Sequence, residues 1–308
     1  YRSFRAECAS KRPARPEFTM YGFNPLERWP IVVTQRSGMV VPIPPLLIDR
    51  VTIGLYHDLL AAHGEDFTRA FGHAFEDYVG TILGSVYDRA TLHGEVPYGR
   101  DALSTDWIVT DGPGATLLEC KATRLRLDTK VSADPAALRI DLAKGVAKAL
   151  VQLHRVLRDI RAGVRGLEQF RNREPLVPVV LLLDPFHTAN SNAIRNLVGE
   201  ELRSRDIGPF EYQVVSIDEI EAWLPTIKQR GLTELLCAKM ADRGNPINSM
   251  AYADFDTYLR HVAGESEERK LAEPLEDEWL AFKTYVESTF PELRSATADN
   301  GSGAPGER

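Results

Sequence analysis

Ser104-Thr105-Asp106-Trp107-Ile108-Val109 and, five residues on, Ala115-Thr116-Leu117-Leu118-Glu119-Cys120-Lys121 are the two stretches on which the reading of this chain turns. Both are apolar and β-prone, and Thr110-Asp111-Gly112-Pro113-Gly114 between them is rich in turn formers, so they read as adjacent strands. Three ionisable residues, Asp106, Glu119 and Lys121, interrupt the apolar runs. A charge in such a strand is costly unless it is paired or bound to a metal. Side chains alternate along a strand, so Glu119 and Lys121 share one face and Cys120 points to the opposite, core side. The spacing between Asp106 and Glu119 suits two neighbouring strands that bring the carboxylates side by side. Two carboxylates and an ammonium on one spot are the minimum set for divalent-metal phosphodiester hydrolysis.

Outward from this pair, Thr91–Tyr98 carries a further strand signal. Upstream, Leu47, Val51, Leu55 and Leu59 have helical spacing over 46–60, and a second helix starting at Glu65-Asp66 carries Phe67, Phe71, Phe75, Val79 and Leu83. Downstream, a long helix is expected from about Pro135 to Ala162, with Asp134 as its N-cap. Pro178-Val179-Val180-Leu181-Leu182-Leu183 is continuously apolar, the pattern of a strand buried on both faces. A helix over about 190–205, a strand at Tyr212–Ser216, and helices over 218–228 and most of 232–262 complete the chain, with Gly244-Asn245-Pro246 as a break. The expected fold class is α/β: a mixed sheet sandwiched by helices, with additional helical elements. The first three strands form an antiparallel meander, and a crossover helix leads to the strand at 178–183.

Composition sets the frame. Over 308 residues, 44% are hydrophobic and 26% charged, enough for an ordinary core. Three regions are expected: a Pro-rich lead-in over 1–60, a main domain over 61–262 with C-terminal elaborations, and an acidic, partly disordered tail over 263–308. The chain opens on Tyr1 without a signal-peptide pattern, and a region upstream of it is expected. No apolar run reaches the roughly 18–20 residues that span a bilayer, so no membrane partner is expected. Cys8, Cys120 and Cys237 form no CxxC pair, which argues against zinc and a disulfide framework and for a cytoplasmic setting. The net charge of −7 is unevenly spread: 121–173 is rich in Lys and Arg, whereas the tail is acidic. That basic stretch is either a solvated helix face or a phosphate-contacting surface beginning at the candidate site.

Glu-x-Lys by itself is weak, since Glu268-Arg269-Lys270 also occurs in the charged tail and Asp128-Thr129-Lys130 follows the second strand. Only Glu119-Cys120-Lys121 ends an apolar strand with an acid on its neighbour. In that context the arrangement resembles the PD-(D/E)XK nuclease superfamily, with its restriction-endonuclease-like fold, over about residues 65–185. Asp106 matches the first acid of the motif, Glu119 the second and Lys121 the lysine; Thr105 stands where many members have proline. Gly72-His73-Ala74-Phe75-Glu76 resembles the helix whose glutamate reaches the metal in many members. Lys144, Lys148 and Gln152 share a face of the following helix, where a lysine or glutamine often borders the site.

The resemblance implies a Mg²⁺-dependent nuclease, with Mn²⁺ able to substitute. Asp106, Glu119, the backbone carbonyl of Cys120 and Glu76 would hold the ion, and Lys121 and Gln152 would be catalytic. The implied partner is nucleic acid, DNA rather than RNA, in a restriction, repair or phage-defence setting and in a homo-oligomer or larger complex. The competing reading is a nuclease-fold module without catalysis that binds nucleic acid or docks a protein.

Overall fold

The structure is a computed structural model that describes residues 26, 29–34, 38–122, 143–243, 249–263, 280–281, 284–285 and 288. A short antiparallel hairpin, β1 (Val32–Thr34) and β2 (Gly38–Val40), precedes the helices α1 (Pro45–Val51) and α2 (Ile53–Gly84). Gly64, at φ 53°, breaks the helical path of α2. The second half of α2 is the helix expected from Glu65 onward, and Phe75, Val79, Ile82 and Leu83 bury its inner face. The expected boundary at residue 60 therefore falls inside a helix.

The sheet has five strands in the order β3 (Leu92–Gly94), β6 (Trp107–Val109), β7 (Ala115–Lys121), β8 (Leu176–Leu182) and β9 (Gln213–Ser216). β3, β6 and β7 pair antiparallel, while β7, β8 and β9 are parallel. Between β7 and β8 the chain passes through a π-helical turn, Ala143–Ala147, and α3 (Lys148–Arg161). The long helix expected from Pro135 is thus described only from residue 143, and its first described turn is π-helical; 123–142 lie outside the described residues. Every residue of β8 is buried, as a central parallel strand requires. Pro178 fits there because β9 pairs only from Val179 onward, so its missing N–H leaves no gap on that edge.

Helices cover both faces of this mixed α/β sheet. On one face α3 and α4 (Asn192–Arg203) bury Leu150, Leu153 and Val198 against Ile108, Leu117 and Val180. On the other, α2 is joined by α5 (Ile217–Ala222), α6 (Leu224–Arg230), α7 (Leu232–Ala241) and α8 (Phe255–Ala263), which bury Val79, Leu235 and Phe255 with Val109, Leu118 and Leu181. The helix expected over 218–228 is two, because Trp223 leaves helical geometry and Pro225 starts a new first turn, where its lack of an N–H costs nothing. Among the described residues no helix is long and apolar enough to cross a membrane.

One departure from the expected strands matters for the site. The run Thr91–Tyr98 is divided: β3 ends at Gly94, and Pro97–Tyr98 (β4) folds back on Ala102–Leu103 (β5) as a separate hairpin. Gly94 pairs with Trp107 and Pro97 with Leu103, leaving two residues on one strand opposite three on the other. This is a β-bulge at Ser104-Thr105-Asp106, a device that bends a strand and re-aims a side chain. The Ser104 hydroxyl fixes it by accepting the Val96 N–H at 2.8 Å and donating to the Thr105 carbonyl at 2.9 Å.

Candidate functional site

Burial on β6 and β7 settles which way each side chain points. Ile108 and Leu117 belong to the core under α3, whereas Leu118 and Cys120 belong to the core under α2. By alternation Glu119 and Lys121 lie on the α3 face, while Asp106 sits in the bulge just before β6. Trp107 pairs with Leu118, so one further step of the register sets Asp106 beside Glu119. The Asp106 Oδ2 accepts the backbone N–H of Cys120 at 2.6 Å, which fixes the carboxylate against the end of β7. The Lys121 carbonyl accepts the Leu183 N–H at 3.2 Å on the β8 side. Successive residues present their backbone groups to opposite edges, so the N–H and C=O of Cys120 face the edge where Asp106 lies. The Cys120 thiol is buried on the other face, and that burial raises its pKa well above the ordinary thiol value.

Glu119 is the least comfortable residue of the site. Its side chain is 3% exposed, and Oε1 accepts a hydrogen bond from Lys121 Nζ at 2.6 Å. Its Oε2 is buried with no hydrogen-bond partner. Burial raises the carboxyl to about 7, opposed by the Lys121 charge and reinforced by Asp106 and Glu76. Asp106 is raised to about 6, again chiefly by burial, opposed by the Cys120 N–H and Lys121 and reinforced by Glu76 and Glu95. Two carboxylates pushed up together in one place need a cation if both are to ionise near neutral pH.

Glu76 on α2 is half-buried, its Oε2 lies 3.1 Å from His73 Nδ1, and its carbonyl accepts the Trp107 indole N–H at 3.0 Å. That bond ties α2 to the strand carrying Asp106. Gly80, one turn along, lies so close under the Trp107 ring that any Cβ would collide with it. Gln152 lies on α3 and donates to the Ser104 carbonyl at 3.0 Å, so its amide holds the bulge before Asp106. Lys148 is exposed, and Arg124, Arg126, Lys130 and Arg139 of the expected basic surface lie outside the described residues.

Glu95 was not among the expected residues. It follows β3 opposite the bulge, within the field of Glu76 and His73 of α2, and its charge is felt by Asp106. Its own pKa is raised by partial burial and by Glu76. The signal for it was an acid directly after a strand whose partner carried Asp106. Asp106, just before β6, and Glu119, near the end of β7, thus sit together within the field of Glu76, with Glu95 acting on Asp106 and Lys121 bonded to Glu119.

The donor set suits a hard divalent cation: carboxylate oxygens, a strand-edge carbonyl and a buried oxygen without a partner. Among the described residues no three His, Cys, Asp or Glu side chains already converge into a metal-binding group. Comparison with known protein families, characterised proteins and solved structures finds no match to this chain.

Proposed function

We propose that the protein is a Mg²⁺-dependent nuclease of restriction-endonuclease-like fold that hydrolyses phosphodiester bonds in nucleic acid, DNA before RNA. The observation that carries this reading is the buried, unpartnered Glu119 Oε2 beside Asp106, with Lys121 on the same strand face. Asp106, Glu119 and the Cys120 carbonyl are the residues that would hold the ion, with Glu76 and Glu95 in reach of its field. A bound Mg²⁺ or Mn²⁺ supplies Lewis-acid polarisation of the phosphate and a water of lowered pKa.

The chain's own residues do the rest. Lys121 leans on Glu119, and its ammonium is poised to stabilise charge developing on the phosphoryl oxygens or to orient the attacking water. The Cys120 N–H orients Asp106. Gln152 keeps the bulge in place through Ser104 and acts as a positioning residue rather than a catalytic one.

The test is cleavage of plasmid, linear and single-stranded DNA and of RNA, with and without Mg²⁺. Asp106→Asn and Lys121→Ala should each abolish ion-dependent cleavage; retention of full activity by both sinks the reading. The second reading, a nuclease-fold module without catalysis, draws on the absence of a ready-made metal group among the described residues. Calorimetric titration with Mn²⁺ separates the two, because only the enzyme has a site lost in Asp106→Asn.

A further inference from the structure

A groove of about 600 Å³, open on one side, lies beside the site; its lining includes Tyr98, Arg100, Asp101, Leu103, Arg165 and Gly166. One wall is the β4–β5 hairpin and the other is the loop that follows α3. The two walls are fixed to each other. The Gly99 N–H donates to the Arg165 carbonyl at 3.0 Å, and the Tyr98 hydroxyl donates to Asp159 on α3 at 2.9 Å. Gly166, at φ 99°, comes within 3.0 Å of Tyr98 measured from where its Cβ would stand, so only glycine lets the walls close this far.

Charge and position give the groove its meaning. Arg100 and Arg165 are both exposed at its rim, and Arg155 donates to the Leu103 carbonyl at 3.1 Å from α3. Asp101 is the one carboxylate in the lining; Glu168 accepts the Gly166 N–H at 2.6 Å, and Asp159 at the wall is paired with Arg158. Arg100, Arg155 and Arg165 therefore face two free carboxylates, a surplus of one positive charge on a chain of net charge −7. The groove reaches the residue before the bulge: Leu103 lines it, and Asp106 follows three residues later. Three residues span at most about 11 Å, so the near end of the groove lies close to the candidate site.

We propose that this groove binds a polynucleotide strand, its arginines contacting the phosphates that lead away from the one held at Asp106. The inference takes its direction from the proposed phosphodiester site, but the binding needs neither metal nor turnover. Contacts of this kind come from guanidinium to phosphate and carry no base recognition, so affinity should depend on salt and hardly on sequence.

The experiment is fluorescence anisotropy of labelled 20-nucleotide single-stranded and duplex DNA with the full chain, in EDTA, over a range of salt. Arg100→Glu/Arg165→Glu should weaken binding roughly 10- to 100-fold and flatten the log K against log salt slope by about 2. Lys228→Glu/Arg230→Glu makes the same charge change on α6, across the sheet, and should leave the slope unaltered. Equal thermal melting of the variants checks that the fold is kept, and Arg165→Lys should restore part of the loss seen for Arg165→Glu. Unchanged binding in the groove variant, equal loss in the α6 variant, or no binding by the wild type overturns the proposal. Groove-dependent binding without any cleavage supports the groove and counts against the nuclease reading, so the two fail separately.

Discussion

Two buried glutamates in this protein have opposite surroundings. Glu219, at the start of α5, has both oxygens saturated: Oε2 accepts the N–H and hydroxyl of Ser216 at 2.7 and 2.9 Å, and Oε1 accepts the N–H groups of Phe255 and Asp256 at 2.7 and 3.0 Å. It caps α5 and pins the start of α8 to the end of β9. Glu119 is more deeply buried, yet one of its oxygens has only Lys121 and the other has nothing. A fold that can satisfy one buried carboxylate four times over has the means to satisfy another. A polar group left unsatisfied in a dry place costs about 1–3 kcal/mol, and such costs persist where function requires the group. The contrast assigns Glu219 to architecture and sets Glu119 apart as the residue on which the proposed chemistry rests.

The largest effect that could break this contrast is on activity. Lys121→Ala should lower Mg²⁺-dependent cleavage on the order of 10³-fold, the scale of losing one stabiliser of transition-state charge. Glu219→Gln should leave the rate per folded molecule within a few-fold. Single-turnover cleavage of a labelled DNA at a temperature where both variants are folded measures this. A catalytic loss in Glu219→Gln equal to that in Lys121→Ala would erase the distinction.

Next in size is stability, with the order reversed. Glu219→Ala strands four donors and removes a capping box, for an expected loss of about 3–5 kcal/mol. Glu119→Gln and Asp106→Asn, measured without metal, should be neutral or stabilising by about 1–3 kcal/mol, because each removes a charge that burial disfavours. Urea midpoints for the three variants settle the ranking. A smaller effect comes from Gly80→Ala, where the added methyl meets Trp107 and should cost about 1–3 kcal/mol. Because Trp107 adjoins Asp106, that variant should also weaken Mn²⁺ binding, which a purely local packing defect would not do.

Much of this architecture could be read from residues. β6, β7, β8 and β9 are apolar, β-prone runs with clear turn signals, and the placement of Glu119 and Lys121 on one face follows from period-2 alternation. The burial of β8 on both faces was visible in its unbroken apolar run. The hairpin was missed because Val96-Pro97-Tyr98 continues the pattern of β3, although Gly99-Arg100-Asp101 carries a turn signature. With the hairpin went the bulge, which exists only as a register difference between two pairs of strands and has no residue signal of its own. Glu95 was missed for a related reason: an acid just past an edge strand is ordinarily solvated, and its relation to Asp106 is tertiary. Gln152 bonds the Ser104 carbonyl, a tertiary contact that its place on a helix face does not reveal. Ser216 and Glu219, at N-cap and N3 spacing, could have been read as a capping box from sequence alone.

The subtlest test is the pH dependence of stability without metal, where the two regions pull in opposite directions. Asp106 and Glu119 are raised to about 6 and about 7 from ordinary carboxylate values, so between pH 4 and 7 the folded state holds more protons than the unfolded one. Their contribution is therefore full at low pH and is lost as pH rises through 7. Asp218 and Glu221 are raised by burial and act in the same sense, while His93, lowered by burial, opposes them. On the other face Lys239 is buried against Gln213 and the Ala251 carbonyl, and desolvation, helped by Arg195, lowers it from 10.5 to about 7. Between pH 7 and 10.5 its folded form holds fewer protons than the unfolded chain, so its contribution grows as pH rises. Above about pH 9 the raised thiols and buried tyrosines turn the trend over. The apo protein should thus show a shallow stability minimum near pH 7, of about 1–3 kcal/mol against pH 5. Asp106→Asn/Glu119→Gln should flatten the acid limb, and Lys239→Met the alkaline limb. Saturating Mg²⁺ should act on the acid limb alone, because ionised Asp106 and Glu119 then have more counter-charge than Lys121 alone supplies. A Mg²⁺ effect that persists in the Asp106→Asn/Glu119→Gln protein would place the ion elsewhere.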